Sequence, residues 1–169
     1  SMIKDLNDND WIGTCHYRKL WLNNLYKEKQ KLTANSLYSN LLKSNNEIFV
    51  NNDVIQVQPT FFKNENIFQQ FEKVHKSKVL ESCINFLEVN ERNQFKDNLN
   101  GNKLCGLNMF ITKVYLFKEY CEVLFPWLEK SLEYCLKNNL CKDYNTRLPA
   151  FLTERFTSYW FSKNSKKKY

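Results

Sequence analysis

The residues best equipped for chemistry sit near the two ends of the chain. In "DNDWIGTCHYRKLWL", residues 8 to 22, a largely apolar run from Trp11 to Cys15 stops abruptly at His16, Tyr17 and Arg18. If the run is a strand, alternate side chains share a face, so His16 and Arg18 point one way and Tyr17 the other. A guanidinium fork beside a titratable ring suits a phosphate or diphosphate group. The same pattern also fits an arginine paired with a local acid such as Asp10. Cys15 and His16 are neighbours on opposite faces, which argues against a nucleophile and base pair. At the other end, "RLPAFLTERF" sets Glu154 next to Arg155. On a helix adjacent residues diverge by about 100°. Leu152 and Phe156 mark the buried stripe, so one of the charged pair should turn toward a polar cleft. Glu154 could then serve as a general base, with Arg155 meeting a phosphate or fixing Glu154. A helix-surface ion pair is the plainer alternative.

These residues need elements to hold them. Residues 10 to 17 read as a short strand followed by a turn. "TANSLYSNLLKS", 33 to 44, offers Thr33 as an N-cap, with Leu37, Leu41 and Leu42 at helical spacing. "EIFVNNDVIQVQP", 47 to 59, reads as one or two short strands, with Asn51, Asn52 and Asp53 as the turn between or before them. From 65 to 100 the apolar residues fall at helical spacing: Ile67, Phe68, Phe71 and Val74, then Val79, Leu80, Cys83, Ile84 and Leu87. His75 ends the first of these stretches, where a cationic ring would favour the helix dipole. A loop from 99 leads to a short apolar strand around residues 109 to 111. "KVYLFKEYCEVLFPWLEKSLEYCLKNN" is strongly helical, and Pro126 inside it should end or kink the helix, or open a second one. The last helix begins near Pro149 and carries Leu152, Phe156 and Trp160 on one face. The strands near 11–16, 53–57 and 108–112 are too short to stand alone. They should share one small sheet covered by the helices. The expected fold is therefore α/β and helix-rich, a single domain over residues 1–169 without internal repeats.

Composition bounds the function. The 169 residues are 43% apolar and 15% aromatic, with only three glycines and three prolines. That describes a globular chain dominated by long elements. The net charge of +7 comes partly from the tail "SKNSKKKY", residues 162 to 169. Such a Lys-rich end is open to peripheral contact with an anionic membrane surface. No zinc-finger, recognition-helix or RNA-binding strand signature is present, so nucleic acid is not an expected partner. The six cysteines form no CxxC pair, and His16 and His75 complete no metal-ligand spacing. Reduced thiols and a cytoplasmic setting follow. There is no phosphate-cradling glycine loop, GxSxG or HExxH. No apolar run reaches the roughly 18 residues of a membrane span.

Five stretches together resemble one family. "WIGTCHYRKLW" is similar to the "GLCHYRR" signature of the DUF4422 family, bacterial capsular and exopolysaccharide biosynthesis proteins regarded as glycosyltransferases. "NNDVIQVQP" resembles that family's short aspartate-containing strand ending in proline, and "FQQFEKVH" its helix ending in histidine. "LNMFITKVYLFKEYCEVLFPWLEKSLE" is similar to "NMFIMKKEIFDEYCEWLFPIL", and "RLPAFLTERFTSYWF" to the closing "R..GFLAERL..IWL" helix. The resemblance runs from residue 11 to nearly the end. Family members usually carry a leading strand and helix like the nucleotide-binding start of a GT-A fold. On that count the chain lacks the N-terminal nucleotide-binding segment. The family's second arginine is Lys19 here, which removes a fork at that position.

The resemblance implies part of a GT-A glycosyltransferase fold. It implies a sugar transferred from a nucleotide-sugar donor to a glycan or lipid-linked acceptor, in the cytoplasm or peripherally at the inner face of the cytoplasmic membrane. His16, Arg18 and Arg155 would bind the donor or its phosphates directly, a reading that requires no divalent metal and identifies no cofactor besides the nucleotide-sugar substrate. Asp53, as a sugar or metal contact, and Glu154 would be the catalytic carboxylates; Asn108, Tyr17 and His75 would contact sugar. A turn-forming role for Asp53 and a satisfied loop amide for Asn108 remain the simple alternatives. A non-catalytic fragment or interaction module of a polysaccharide-synthesis system is the rival reading of the whole chain.

Overall fold

The computed structural model describes residues 5–23, 33–75 and 78–165. The elements, in chain order, are β1 (Trp11–Gly13), α1 (Ala34–Asn40), α2 (Ile48–Asn51), β2 (Val54–Gln56), β3 (Thr60–Phe61), α3 (Ile67–His75), α4 (Val79–Ile84), α5 (Val89–Leu99), β4 (Lys103–Leu104), β5 (Phe110–Lys113), α6 (Val114–Lys137), a 3-10 turn (Asp143–Arg147) and α7 (Leu148–Asn164). The fold is helix-rich, with two small antiparallel sheets against the helices.

The three expected strands do share one sheet, in the order β1-β5-β2. Trp11 pairs with Lys113 and Gly13 with Ile111 on one side of β5. On the other side Val54 pairs with Thr112 and Gln56 with Phe110. Gly13 is needed for close approach, since a Cβ there would lie 3.0 Å from Ile111 Cγ1 and 3.3 Å from the Phe110 carbonyl oxygen. Buried Thr112 is satisfied by donating its hydroxyl to the Asp53 carbonyl at 2.9 Å.

Several boundaries differ from expectation for local reasons. β1 ends at Gly13, and the chain turns through Tyr17 and Arg18 rather than running on as strand. His16 and Arg18 therefore do not share a strand face. The stretch 48 to 51 is helical although Ile48, Phe49 and Val50 favour strands. Asn46 Oδ1 accepts the Ile48 N–H at 3.0 Å, Asn52 Nδ2 donates to the Ile48 carbonyl at 2.9 Å, and Phe49 packs edge-on to Trp11 at 4.9 Å. The region 65 to 100 is three helices. A second, two-stranded sheet pairs β3 with β4, Thr60 opposite Leu104 and Phe61 opposite Lys103. Thr33 does cap α1, in a reciprocal capping box with Ser36. α6 runs unbroken through Pro126. That residue is exposed, so the carbonyl it leaves unpaired at Glu122 is open to water.

The core is aromatic and centres on α7. Every residue from Arg155 to Phe161 is buried, so this helix is wrapped on all sides. Trp127 of α6 stacks on Phe156 at 4.9 Å and donates its indole N–H to the Cys83 carbonyl at 2.8 Å. Phe95 of α5 meets Trp127, Phe156 and Tyr159. Phe110 of β5 contacts Phe161 at 4.6 Å, joining the sheet to the helices. The polar groups among them are matched: Tyr120 Oη and Thr157 Oγ1 are 2.6 Å apart, and Tyr159 Oη donates to Glu91 at 2.6 Å.

Candidate functional site

The opening turns of α7 carry a polar knot inside this apolar core. Arg155 is 4% exposed. It is therefore not part of a helix-surface pair. Its Nη1 donates to Glu154 Oε2 at 2.6 Å and its Nη2 to Gln70 Oε1 of α3 at 2.6 Å. The guanidinium also lies 5.1 Å from the Phe71 ring centroid. Its Nε is buried without a hydrogen-bond partner. Burial pulls the guanidinium below its ordinary pKa, and the Glu154 charge opposes that pull.

The second Glu154 oxygen, Oε1, accepts the Leu107 backbone N–H at 2.5 Å. Leu107 and Asn108 both have left-handed backbone, φ 71 and 51. Leucine rarely adopts this conformation, so the turn is held by its contacts. Gly106 precedes it because a Cβ there would come within 3.2 Å of Glu154 Oε1. Asn108 is satisfied within the protein: its Nδ2 donates to the Ala150 carbonyl at 3.0 Å and its Oδ1 accepts from Thr157 at 3.4 Å. The satisfied-amide alternative describes Asn108 as it stands.

His75 adjoins the knot. It is 3% exposed, with its ring 4.4 Å from both Phe71 and Phe151 and 5.9 Å from Tyr144. Asn145 clamps it: His75 Nδ1 donates to Asn145 Oδ1 at 3.0 Å, and Asn145 Nδ2 donates to the His75 carbonyl at 3.0 Å. Burial lowers its pKa, the Asn145 bond works against that, and Arg155 lowers it further. The ring thus favours the neutral form. It is not the cationic cap expected at a helix end.

The His16-Tyr17-Arg18 segment is a different kind of place. Tyr17 is 82% exposed, with the His16 ring 4.6 Å and the Arg18 guanidinium 4.8 Å from it. Arg18 forms no ion pair among the described residues; Asp10, its suggested partner, instead accepts the Asn7 N–H at 3.0 Å. Two residues earlier, Thr14 ties the loop down. Its hydroxyl donates to the Asn108 carbonyl at 2.8 Å and accepts the Phe110 N–H at 3.2 Å. The loop is thus tethered to the same turn that Glu154 holds. No hydrogen bond or ion pair joins His16 or Arg18 to Glu154 or Arg155 among the described residues.

Asp53 is not brought to this place. Its carbonyl accepts the Lys113 N–H at 3.1 Å, whereas Thr14 pairs at Phe110. These are opposite ends of β5, about 10 Å apart at roughly 3.4 Å per residue. Asp53 and Glu154 therefore do not form a carboxylate pair. The register, which sequence does not display, decides this. Gln70, Leu107, Gly106, Thr14 and Asn145 are the site residues that the sequence reading missed. Only Gly106 gave a signal, as one of just three glycines.

All six cysteines are free thiols. Cys83, Cys135 and Cys141 hydrogen-bond in a chain in which the bond between Cys83 and Cys135 lowers the pKa of Cys83 and raises that of Cys135. Among the described residues no group of three or more His, Cys, Asp or Glu is arranged to hold a metal ion. Nor is any helix there long and apolar enough to cross a membrane. The lysine tail beyond Ser165 lies outside the described residues.

The family model for DUF4422, a domain of unknown function, matches residues 1–166, and the chain belongs to that family. No curated protein and no solved structure matches it significantly.

Proposed function

We propose that this protein is a glycosyltransferase of capsular or surface polysaccharide biosynthesis. In this reading it moves a sugar from a nucleotide-sugar donor to a glycan or lipid-linked acceptor, in the cytoplasm or at the inner face of the membrane. One observation carries the reading. His16 and Arg18 sit on a loop with no acid partner among the described residues, yet Thr14 anchors that loop to the turn held by α7. An arginine left unpaired on a tethered loop favours an anionic ligand, and a diphosphate fits the guanidinium fork and the neighbouring His16 ring. Membership of DUF4422, and the sequence resemblance to its polysaccharide-synthesis members, supports the same class.

The role of Glu154 shapes the second reading. Both of its oxygens are engaged, one by Leu107 and one by Arg155. A carboxylate so held is spent on positioning the turn and the guanidinium rather than left open toward a substrate. That favours a non-catalytic interaction module, unless donor binding opens the knot. Calorimetric titration with a panel of UDP- and GDP-sugars separates the two. The glycosyltransferase reading expects binding that Arg18→Ala weakens about tenfold or more, as for loss of a charged hydrogen bond. Arg18→Lys should restore only part of it, and the melting temperature should not move. No binding by the wild-type chain would reject the reading in favour of the module.

A further inference from the structure

The outer face of α6 carries an apolar strip that the described residues leave uncovered. Phe125, Leu132 and Leu136 are 60, 39 and 59% exposed, and Leu128 is half-buried between them. Their spacing of three, four and four residues places them on one stripe, about 16 Å long at 1.5 Å per residue. A shallow groove of about 310 Å³ lies along Phe125, Leu128, Glu129 and Leu132. Contiguous exposed apolar surface of this kind marks an interaction site rather than a scattered surface residue.

Charge says what covers it. With Phe125 as the reference direction and about 100° per residue, Leu128, Leu132 and Leu136 span about −60° to +20°. Glu129, Glu122 and Glu133 follow at about +40°, +60° and +80°. Lys137 and Lys130 lie farther round, at about +120° and +140°. The rim beside the strip from Glu122 to Glu133 is therefore acidic, while Lys118, in line with the strip two turns earlier, is taken up by Asp8 at 2.8 Å, on a chain whose net charge is +7. Glu133 pairs with Lys137 one helical turn on, at 3.9 Å, while Glu122 and Glu129 form no ion pair among the described residues.

We infer that this strip is a docking site for an amphipathic helix of a partner protein, with apolar residues at helical spacing and lysine or arginine along the flank that meets the glutamates. Such a helix buries the four apolar residues and matches the rim. A second copy of this chain fits poorly, because antiparallel two-fold pairing sets the acidic flank against its own image. An anionic lipid surface is repelled by the same rim.

The test uses the full chain and a labelled synthetic peptide of about 18 residues, long enough to form a helix, with leucines on one face and lysines along one flank. Fluorescence anisotropy should show binding that weakens as salt rises. A peptide with glutamates in place of the lysines should bind at least tenfold more weakly. Leu132→Glu should abolish binding while leaving circular dichroism and melting unchanged, since that side chain faces solvent. The double variant Glu122→Lys, Glu129→Lys should reverse the preference between the two peptides. Equal binding of both peptides, or no effect of Leu132→Glu, would overturn the proposal. So would sedimentation showing a homodimer, or flotation on phosphatidylglycerol vesicles, that Leu132→Glu removes.

Discussion

Two charged regions lie within a few residues' reach of the Leu107–Asn108 turn, and they are built on opposite principles. In the α7 knot the guanidinium of Arg155 is buried and held by Glu154 and Gln70. On the β1 loop the guanidinium of Arg18 is exposed, lies against the Tyr17 ring and forms no ion pair among the described residues. A buried charge must find its counter-charge inside the protein. An exposed one has water, and so remains free for a ligand. The knot is therefore read first as architecture and the loop first as a binding surface, even though both contain arginine and both resemble motifs of one family.

The sharpest way to break that contrast is to remove Arg155. Arg155→Ala strands the Glu154 carboxylate beside the core and should cost about 3–5 kcal/mol of stability. Chemical denaturation measures it, and a loss under about 1 kcal/mol would mean that the knot is not structural. Glu154→Gln keeps the shape but not the charge, and should cost less, about 1.5–3 kcal/mol.

A pH series probes the edge of the knot. Burial holds the folded-state pKa of His75 below the ordinary histidine value of about 6.5. Protonation thus favours the unfolded chain. The stabilisation is complete above about pH 6.5 and is lost as pH falls from there through the lower folded-state value. His75→Gln should flatten this part of the profile, measured by melting from pH 7.5 to 5. An unchanged slope would place the titration elsewhere.

Smaller effects are expected toward the loop. Thr33→Ala removes the cap of α1 and should cost about 1 kcal/mol. α1 matters to the loop because Leu42 N–H donates to the Trp21 carbonyl and Asn23 N–H to the Asn40 carbonyl, both at 2.9 Å. Last, Arg18→Ala should shift stability by less than about 0.5 kcal/mol. A larger loss, seen in melting curves, would make the loop architecture too and erase the contrast.

What the sequence disclosed follows the range over which each interaction acts. The three-stranded sheet, the Thr33 cap and the start of α7 near Pro149 rest on patterns within a dozen residues, and all are present. The divergence of Glu154 and Arg155 was readable from helix geometry. Their partners were not, because Gln70 and Leu107 lie 85 and 47 residues away in sequence. The helix at 48 to 51 was hidden because strand-favouring side chains were overruled by two asparagine contacts and by packing on Trp11. Asp53 looked eligible as a site residue until the strand register placed it at the far end of β5.

The position of α7 also bears on how the chain is made. The helix at the centre of the core, residues 148 to 164, follows α3 to α6 along the chain. On the ribosome, α3 to α6 emerge with their apolar faces turned toward a centre that does not yet exist. The usual order, in which earlier segments fold first during synthesis, cannot complete here. Closure of the core waits for α7 to emerge, and a chain lacking residues 148 to 164 would have no centre to close on, a substrate for chaperones and proteases.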